Sequence, residues 1–259
     1  MTRLAEALDA LLLLQPPLPG DLDSRQTLGP LYRAARRAVG APLAMAAARA
    51  LRPRIRPRGR VLLTTGLVTP RVPRGETDGP PGTLGLARAL VLGFQAEVVI
   101  LTEPSVVPVL AAGADALAAS EGDGARWRDR CRVQAFPCDP AEAARAARRL
   151  FSATPPVAVV SIEKLGPNER GVAHTMRGED VTASQARTDL VFSSARRAGV
   201  LTVGVGDRGN EIGMGGLLAR SRRCACPCGG GIACAVRARV PVVAFTSNWG
   251  AHAITAALA

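Results

Sequence analysis

From residue 60 onward the chain alternates between short β-branched runs and longer stretches with apolar residues at helical spacing. The runs are Val61–Thr65, Glu97–Thr102, Arg132–Phe136, Val157–Ile162, Val200–Val205 and Val240–Phe245. Between and after them, Leu84–Phe94, Ser105–Ser120, Ala141–Phe151, Ser184–Ala198 and Asn248–Leu258 predict helices. Strands that are apolar along their whole length fit a sheet covered on both sides. The pattern therefore predicts an α/β fold: an open, mainly parallel, Rossmann-like sheet with helices on both faces and right-handed crossovers. Residues 1–58 hold no good strand. Ala34–Leu51 reads as one helix, ended by Pro53 and Pro57. The expected organisation is an N-terminal helical extension over 1–58 and one α/β domain over 59–259, with no internal repeat and no long linker.

The apolar run Leu11–Leu14 raises the question of a targeting segment. Glu6 and Asp9 stand where a signal peptide needs positive charge, and no small-residue cleavage site follows. No stretch of eighteen residues is both uncharged and apolar throughout, so a spanning helix is not expected. A cytoplasmic protein is expected, with its six cysteines as thiols or ligands rather than structural disulfides. The net charge of +12 would ordinarily suggest nucleic acid or an anionic membrane. Of the 33 basic residues, however, Lys164 is the sole lysine and the rest are arginine. With abundant Ala, Gly and Pro, that skew follows GC-rich codon usage rather than a selected basic patch. Aromatic residues are 3% of the chain, too few for base-stacking platforms. Neither nucleic acid nor membrane is expected as a partner. A small-molecule substrate is, and a homo-oligomer is compatible with the sequence.

Three polar connections leave the carboxyl ends of predicted strands: Leu67–Thr83, Glu163–Ala183 and Gly206–Gly216. In an open α/β sheet that edge binds ligands. The first contains Gly75-Glu76-Thr77-Asp78-Gly79-Pro80-Pro81-Gly82, a rigid acidic loop able to offer oxygen ligands to a divalent cation, although turn residues alone account for its composition. In the second, Glu163 follows a buried strand, and His174 sits in a polar loop with Arg170 and Arg177 nearby. A loop histidine near carboxylates suits acid–base work, and arginines suit substrate carboxylates. The third, Gly204-Val205-Gly206-Asp207-Arg208-Gly209-Asn210-Glu211, is a poor dinucleotide fingerprint. Asp207 and Glu211 stand where a pyrophosphate would lie, so a cation or an ammonium group fits better. A fourth run, Ser247-Asn248-Trp249-Gly250, opens the last helix, where Ser247 or Asn248 can cap it or leave backbone N–H groups for a carboxylate. The cysteines Cys224, Cys226, Cys228 and Cys234 do not have the spacing of a zinc ribbon or knuckle. They read as incidental thiols of an exposed glycine-rich loop, with structural metal binding the lesser alternative.

Taken in order, GETDGPPGTLGLARAL, IEKLGPNERGVAHTMRGEDVT, VGVGDRGNEIGMG and TSNWGAHAITAAL resemble the catalytic domain of the D-glutamate cyclase family, over residues from about 60 to the end. The resemblance implies a lyase that converts D-glutamate to 5-oxo-D-proline and water. Two departures add positive charge: Arg208 stands where the family's Gly-Asp-Gly-Gly-Asn-Glu run has its second glycine, and Cys234–Arg239 lacks the family's acidic residue.

Such a reaction must take protons from an amine, polarise a carboxylate and release its oxygen as water. Glu76, Asp78, Asp207 and Glu211 are the expected metal ligands, and Glu163, His174, Asp207 and Glu211 the expected acids and bases. Within that set His174 is the expected proton shuttle. Thr77, Arg177, Asn210, Ser247 and Asn248 are the expected substrate contacts. An all-oxygen set favours magnesium, manganese or calcium over zinc, with magnesium or manganese expected ahead of calcium, and no nicotinamide or flavin is expected. The alternatives are a nucleotide- or phosphate-binding enzyme that uses the glycine-rich loop, and a family member that binds an amino acid without turnover.

Overall fold

The computed structural model describes residues 2–14, 22–120, 122, 124–218 and 222–259. Three helices come first: α1 (Thr2–Leu12), α2 (Leu22–Val39) and α3 (Leu43–Leu51). The sheet region then runs β1 (Arg60–Thr64), α4 (Pro80–Arg88), β2 (Glu97–Thr102), α5 (Val107–Ser120), α6 (Gly124–Arg130), β3 (Cys131–Ala135), α7 (Pro140–Ser152), β4 (Ala158–Ile162), α8 (Asp189–Arg197), β5 (Leu201–Gly206), β6 (Val240–Val243) and α9 (Ser247–Leu258).

All five strand pairings are parallel, in the order β3-β2-β1-β4-β5-β6. The winding reverses between β1 and β4, which opens a crevice beyond their carboxyl ends. Side chains alternate between two apolar cores. Val61, Leu63, Val160 and Val203 pack with α2, α3, α4, α5 and α9, whereas Leu62 and Val159 pack with α7 and α8. Both faces are therefore dry over the central strands, which is why these read as unbroken apolar runs, whereas the edge strand β3 stays largely exposed.

The glycines of β5 serve packing. A Cβ on Gly204 would lie 2.6 Å from the Gly213 Cα and 2.7 Å from the Ile212 carbonyl oxygen. The Gly-x-Gly pattern thus lets the downstream loop lie directly on the sheet. Among the described residues between Gly206 and Val240 there is no helix. This run therefore presents no helix N-terminus to a phosphate.

Local chemistry moves some predicted boundaries. The single helix expected over Ala34–Leu51 is two helices: α2 ends at Val39, where Gly40 turns the chain with φ 72°, and Pro42 precedes α3. The helix expected from Ser184 begins at Asp189: the Ser184 hydroxyl and the Gln185 amide instead donate to the Val68 and Val181 carbonyls. The short α6 lies outside the predicted helices. Residues Ala89–Gly93 continue α4 as one π-helical turn.

The N-terminal helices share the larger core with α9 and β6. Asp9 shows how they are fixed. Its buried carboxylate accepts the Leu43 and Ala44 N–H groups at 2.7 and 3.3 Å, and the Tyr32 hydroxyl at 2.9 Å. Arg36 joins it at 3.2 Å and also binds Glu6. The preceding Pro42 gives α3 no side-chain cap, so α1 supplies one. Asp9→Ala should cost about 2–3 kcal/mol, the worth of charged hydrogen bonds lost with partners left buried. Thermal melting should show this as a Tm lowered by roughly 5–10 °C. An unchanged Tm would mean that α1 is not held through this residue.

Candidate active site

The three loops meet at the crevice around a cavity of about 520 Å³. Glu76, Asp78, Glu163, Asp207 and Glu211 line it, together with Arg177, Arg208 and Asn210. One carboxylate oxygen from each of Asp78, Glu163 and Asp207 lies within 4.8 Å of the other two. Of the expected metal ligands, Asp78 and Asp207 are in this group and Glu76 and Glu211 line the cavity outside it, while Glu163, expected as an acid or base, completes it; three different strand ends deliver the three.

Asp78 is placed by the far end of the chain. Its Oδ2 accepts the Ser247 N–H at 2.9 Å and its Oδ1 the Asn248 N–H at 2.8 Å. A carboxylate at a helix N-terminus is doubly favoured, by hydrogen bonding and by the helix dipole. Asn248 completes the clasp. Its Oδ1 accepts the Gly79 and Gly82 N–H groups at 3.0 and 2.7 Å, and its Nδ2 donates to the Thr77 carbonyl at 3.0 Å. Gly79 makes the approach possible: it has φ 100°, and a Cβ there would lie 2.5 Å from Thr65 Oγ1 and 2.9 Å from Glu163 Cβ. The first two helical positions of α4 are Pro80 and Pro81, which carry no N–H. The first crossover turn, where this architecture usually binds pyrophosphate, is thus closed to it by prolines and by Asn248.

Glu163 follows β4 with φ 46°, a left-handed conformation that costs on the order of 1–3 kcal/mol in a non-glycine residue. Its N–H bonds the Val205 carbonyl, and its Oε2 accepts the Ser247 hydroxyl at 2.6 Å. Burial pushes its carboxyl well above the usual range, and the charges of Asp207, Glu211 and Asp78 add to this. Asp207 is pushed well up in the same way, by burial and then by Glu211, while Arg208 pulls it down. Asp78 is raised by burial against three opposing backbone N–H groups. Burial, followed by the charge of Asp78, raises Glu76. Glu211 shapes the loop: its two oxygens accept the Arg208 and Gly209 N–H groups at 3.1 and 2.8 Å.

Several expected roles change. The backbone N–H groups of Ser247 and Asn248 are taken by Asp78, so they do not hold a substrate carboxylate. Both side chains are also occupied, and these two residues position the acidic loop. The cap of α9 is Thr246, whose hydroxyl accepts the Trp249 N–H. Thr77 is exposed and outside the cavity lining. His174 is buried and faces away from the carboxylates. Its Nε2 lies 3.2 Å from Cys226 Sγ and 3.5 Å from Cys228 Sγ, and burial lowers its pKa. It is not among the residues that line this cavity, where a proton shuttle was expected. Arg177 does line the cavity at its exposed rim, and Asn210 lines it with a buried Oδ1 that has no protein partner. Of the two added positive charges, Arg208 reaches the site, with Nε 3.2 Å from Asp207 Oδ2. Arg237 lines a different cavity, beside Gly216.

Glu103, at the carboxyl end of β2, lies outside the residues expected from the sequence. It is buried and pairs with the buried ammonium of Lys164, which also donates to Gln185 Oε1 at 3.0 Å. The lone lysine of an arginine-rich chain was the available signal.

A model of the C-terminal part of D-glutamate cyclase-like proteins matches residues 24–259. The chain belongs to the D-glutamate cyclase-like family. It is 30% identical over 204 residues to the human protein named D-glutamate cyclase, mitochondrial, a match that covers 76% of this chain. The chain spans about a third of that relative, 32% of its length. Among the described residues, no helix is long and apolar enough to cross a membrane.

Proposed function

We propose that this chain is a D-glutamate cyclase-like lyase that closes D-glutamate to 5-oxo-D-proline with loss of water. The observation that carries the reading is the convergence of Asp78, Glu163 and Asp207 on one cavity in a member of this family. The substrate's α-nitrogen forms a bond to its own side-chain carboxyl carbon, and one carbon–oxygen bond breaks. Two protons pass from the ammonium nitrogen to the departing oxygen, so substrate and products carry the same net charge. Acid and base are regenerated in each turnover, which suits a closed set of largely buried carboxylates. Glu163 carries the protons. The unpartnered Asn210 Oδ1 orients the ammonium group, and Arg177 at the rim holds the α-carboxylate. Holding the chain folded on itself supplies the near-attack geometry that ring closure needs.

The residues also fit a divalent cation. Asp78, Glu163 and Asp207 offer only oxygen, and Asp207 Oδ1 is buried without a protein partner. Asp78 and Asp207 would hold magnesium or manganese in preference to calcium, with Glu163 beside them left free for proton transfer. A cation bound there would polarise the substrate's side-chain carboxyl and offset charge on its oxygen.

The test is to incubate the full chain with D-glutamate or L-glutamate and to follow 5-oxoproline by chromatography. Product is expected from the D-isomer, lost on chelation and restored by manganese or magnesium. Absence of product from folded protein with either cation would overturn the reaction. Product that is indifferent to chelator would remove the cation and leave the lyase.

A further inference from the structure

Away from the carboxylates, four soft donors meet. His174 Nε2 lies 3.2 Å from Cys226 Sγ and 3.5 Å from Cys228 Sγ. Cys224 Sγ lies 3.3 Å from both other sulfurs. One ligand atom from each of the four side chains falls within 4.8 Å of all the others. The cysteines are free, and these separations are far above a disulfide bond of about 2.05 Å. We infer that His174, Cys224, Cys226 and Cys228 form a structural zinc site of Cys3His type, separate from the acidic cavity.

Geometry and chemistry both favour that ion. Tetrahedral zinc with ordinary Zn–S and Zn–N bonds has S···S edges of about 3.8 Å and N···S edges of about 3.6 Å. The four separations of 3.2–3.5 Å would each lengthen by about half an ångström or less on binding. Three thiolates and an imidazole select zinc over the hard cations suited to an all-oxygen set. The Gly230 N–H points at Cys228 Sγ, at 3.4 Å, which supports negative charge on that sulfur. The Cys-x-Cys-x-Cys run alone lacks a fourth ligand, and folding brings one from 52 residues upstream of Cys226.

The backbone is already arranged for the site. The cysteine loop turns back on itself, with Arg223 bridged to Gly231 and the Cys224 N–H bonded to the Gly230 carbonyl. It docks on the histidine loop through Ala225 N–H to the Gly178 carbonyl at 3.2 Å and Asn168 Nδ2 to the Gly231 carbonyl at 2.8 Å. Zinc would clip these two loops together. Thr175, Met176 and Arg177 follow His174 directly and line the acidic cavity. The metal would therefore fix one wall of that cavity from outside it.

The inference does not rest on the proposed reaction, and its test does not use activity. The full chain is produced with zinc, purified under reducing conditions without chelator, and assayed for metal by mass spectrometry. About one zinc per chain is expected, lost in Cys226→Ser and His174→Ala and kept in Glu163→Gln and Asp207→Asn. Should the first two variants fail to fold, cobalt substitution of the unaltered chain decides. Tetrahedral ligand-field bands with thiolate-to-cobalt charge transfer support the site. A folded chain that binds neither zinc nor tetrahedral cobalt overturns it. So does zinc retained by a folded Cys226→Ser, or zinc lost from Asp207→Asn instead.

Discussion

Glu163→Gln should lower kcat for D-glutamate cyclisation by roughly 10²–10⁴-fold, the usual worth of a positioned acid–base group. It should at the same time raise the Tm of the protein at neutral pH without added magnesium or manganese. Both effects have one origin. The Glu163 carboxyl is buried and crowded by Asp207, Glu211 and Asp78, so its pKa in the folded state lies well above its unfolded value. Below about pH 4 both states are protonated, and the difference contributes nothing. As pH rises from there, the unfolded chain loses the proton first, and folding loses stability until the raised pKa is passed. Above that value the penalty is complete. Tm should therefore fall with rising pH in the unaltered chain and fall less steeply in Glu163→Gln. Asp207→Asn should behave alike, because its carboxyl is raised for the same reasons. Turnover within a few-fold of the unaltered chain in both variants would remove these groups from the chemistry. A Tm profile that kept its slope would show that the crowding is relieved in some other way.

The second large effect concerns stability. Lys164→Met should cost about 3–5 kcal/mol, because it strands the Glu103 carboxylate in the interior. At roughly 2–4 °C per kcal/mol in a chain of this size, Tm should drop on the order of 10 °C. Glu103 also accepts the Ala186 N–H at 3.0 Å and the Thr102 hydroxyl at 3.3 Å, so an apolar partner would leave these donors unmet. The double variant with Glu103→Gln removes the charge while keeping an acceptor. It should recover much of the loss, since the uncompensated charge is the costly part. Equal melting of single and double variants would show that the charge itself is not what destabilises.

The sheet was legible because its central strands are buried on both faces. Double burial writes continuous apolar runs such as Ala158-Val159-Val160 into the sequence. The gathering of Glu76, Asp78, Glu163, Asp207 and Glu211 at one edge followed from the expectation of a parallel sheet, since all leave carboxyl ends of strands. What stayed hidden depended on distant partners. Nothing near Asn248 says that its amide will meet Gly79 and Gly82, so it read as a substrate contact. His174 resembled a loop base because its neighbours in sequence are polar and charged. Its neighbours in space are three sulfurs supplied by a later loop. The α6 segment is seven residues long, too short for periodicity to distinguish from a turn.

The clasp between Asp78 and α9 also orders events in time. Asp78 bonds backbone groups 169 and 170 residues further along, and Asn248 reaches back 169 and 166 residues to Gly79 and Gly82. Contacts of such separation demand the closure of very large loops and form late. The first strand and the acidic loop after it leave the ribosome early, yet that loop has no template until the final helix docks. A nascent chain can complete most of its sheet while its carboxylates remain unassembled. The carboxylate cluster is thus completed only when chain segments far apart in sequence have met.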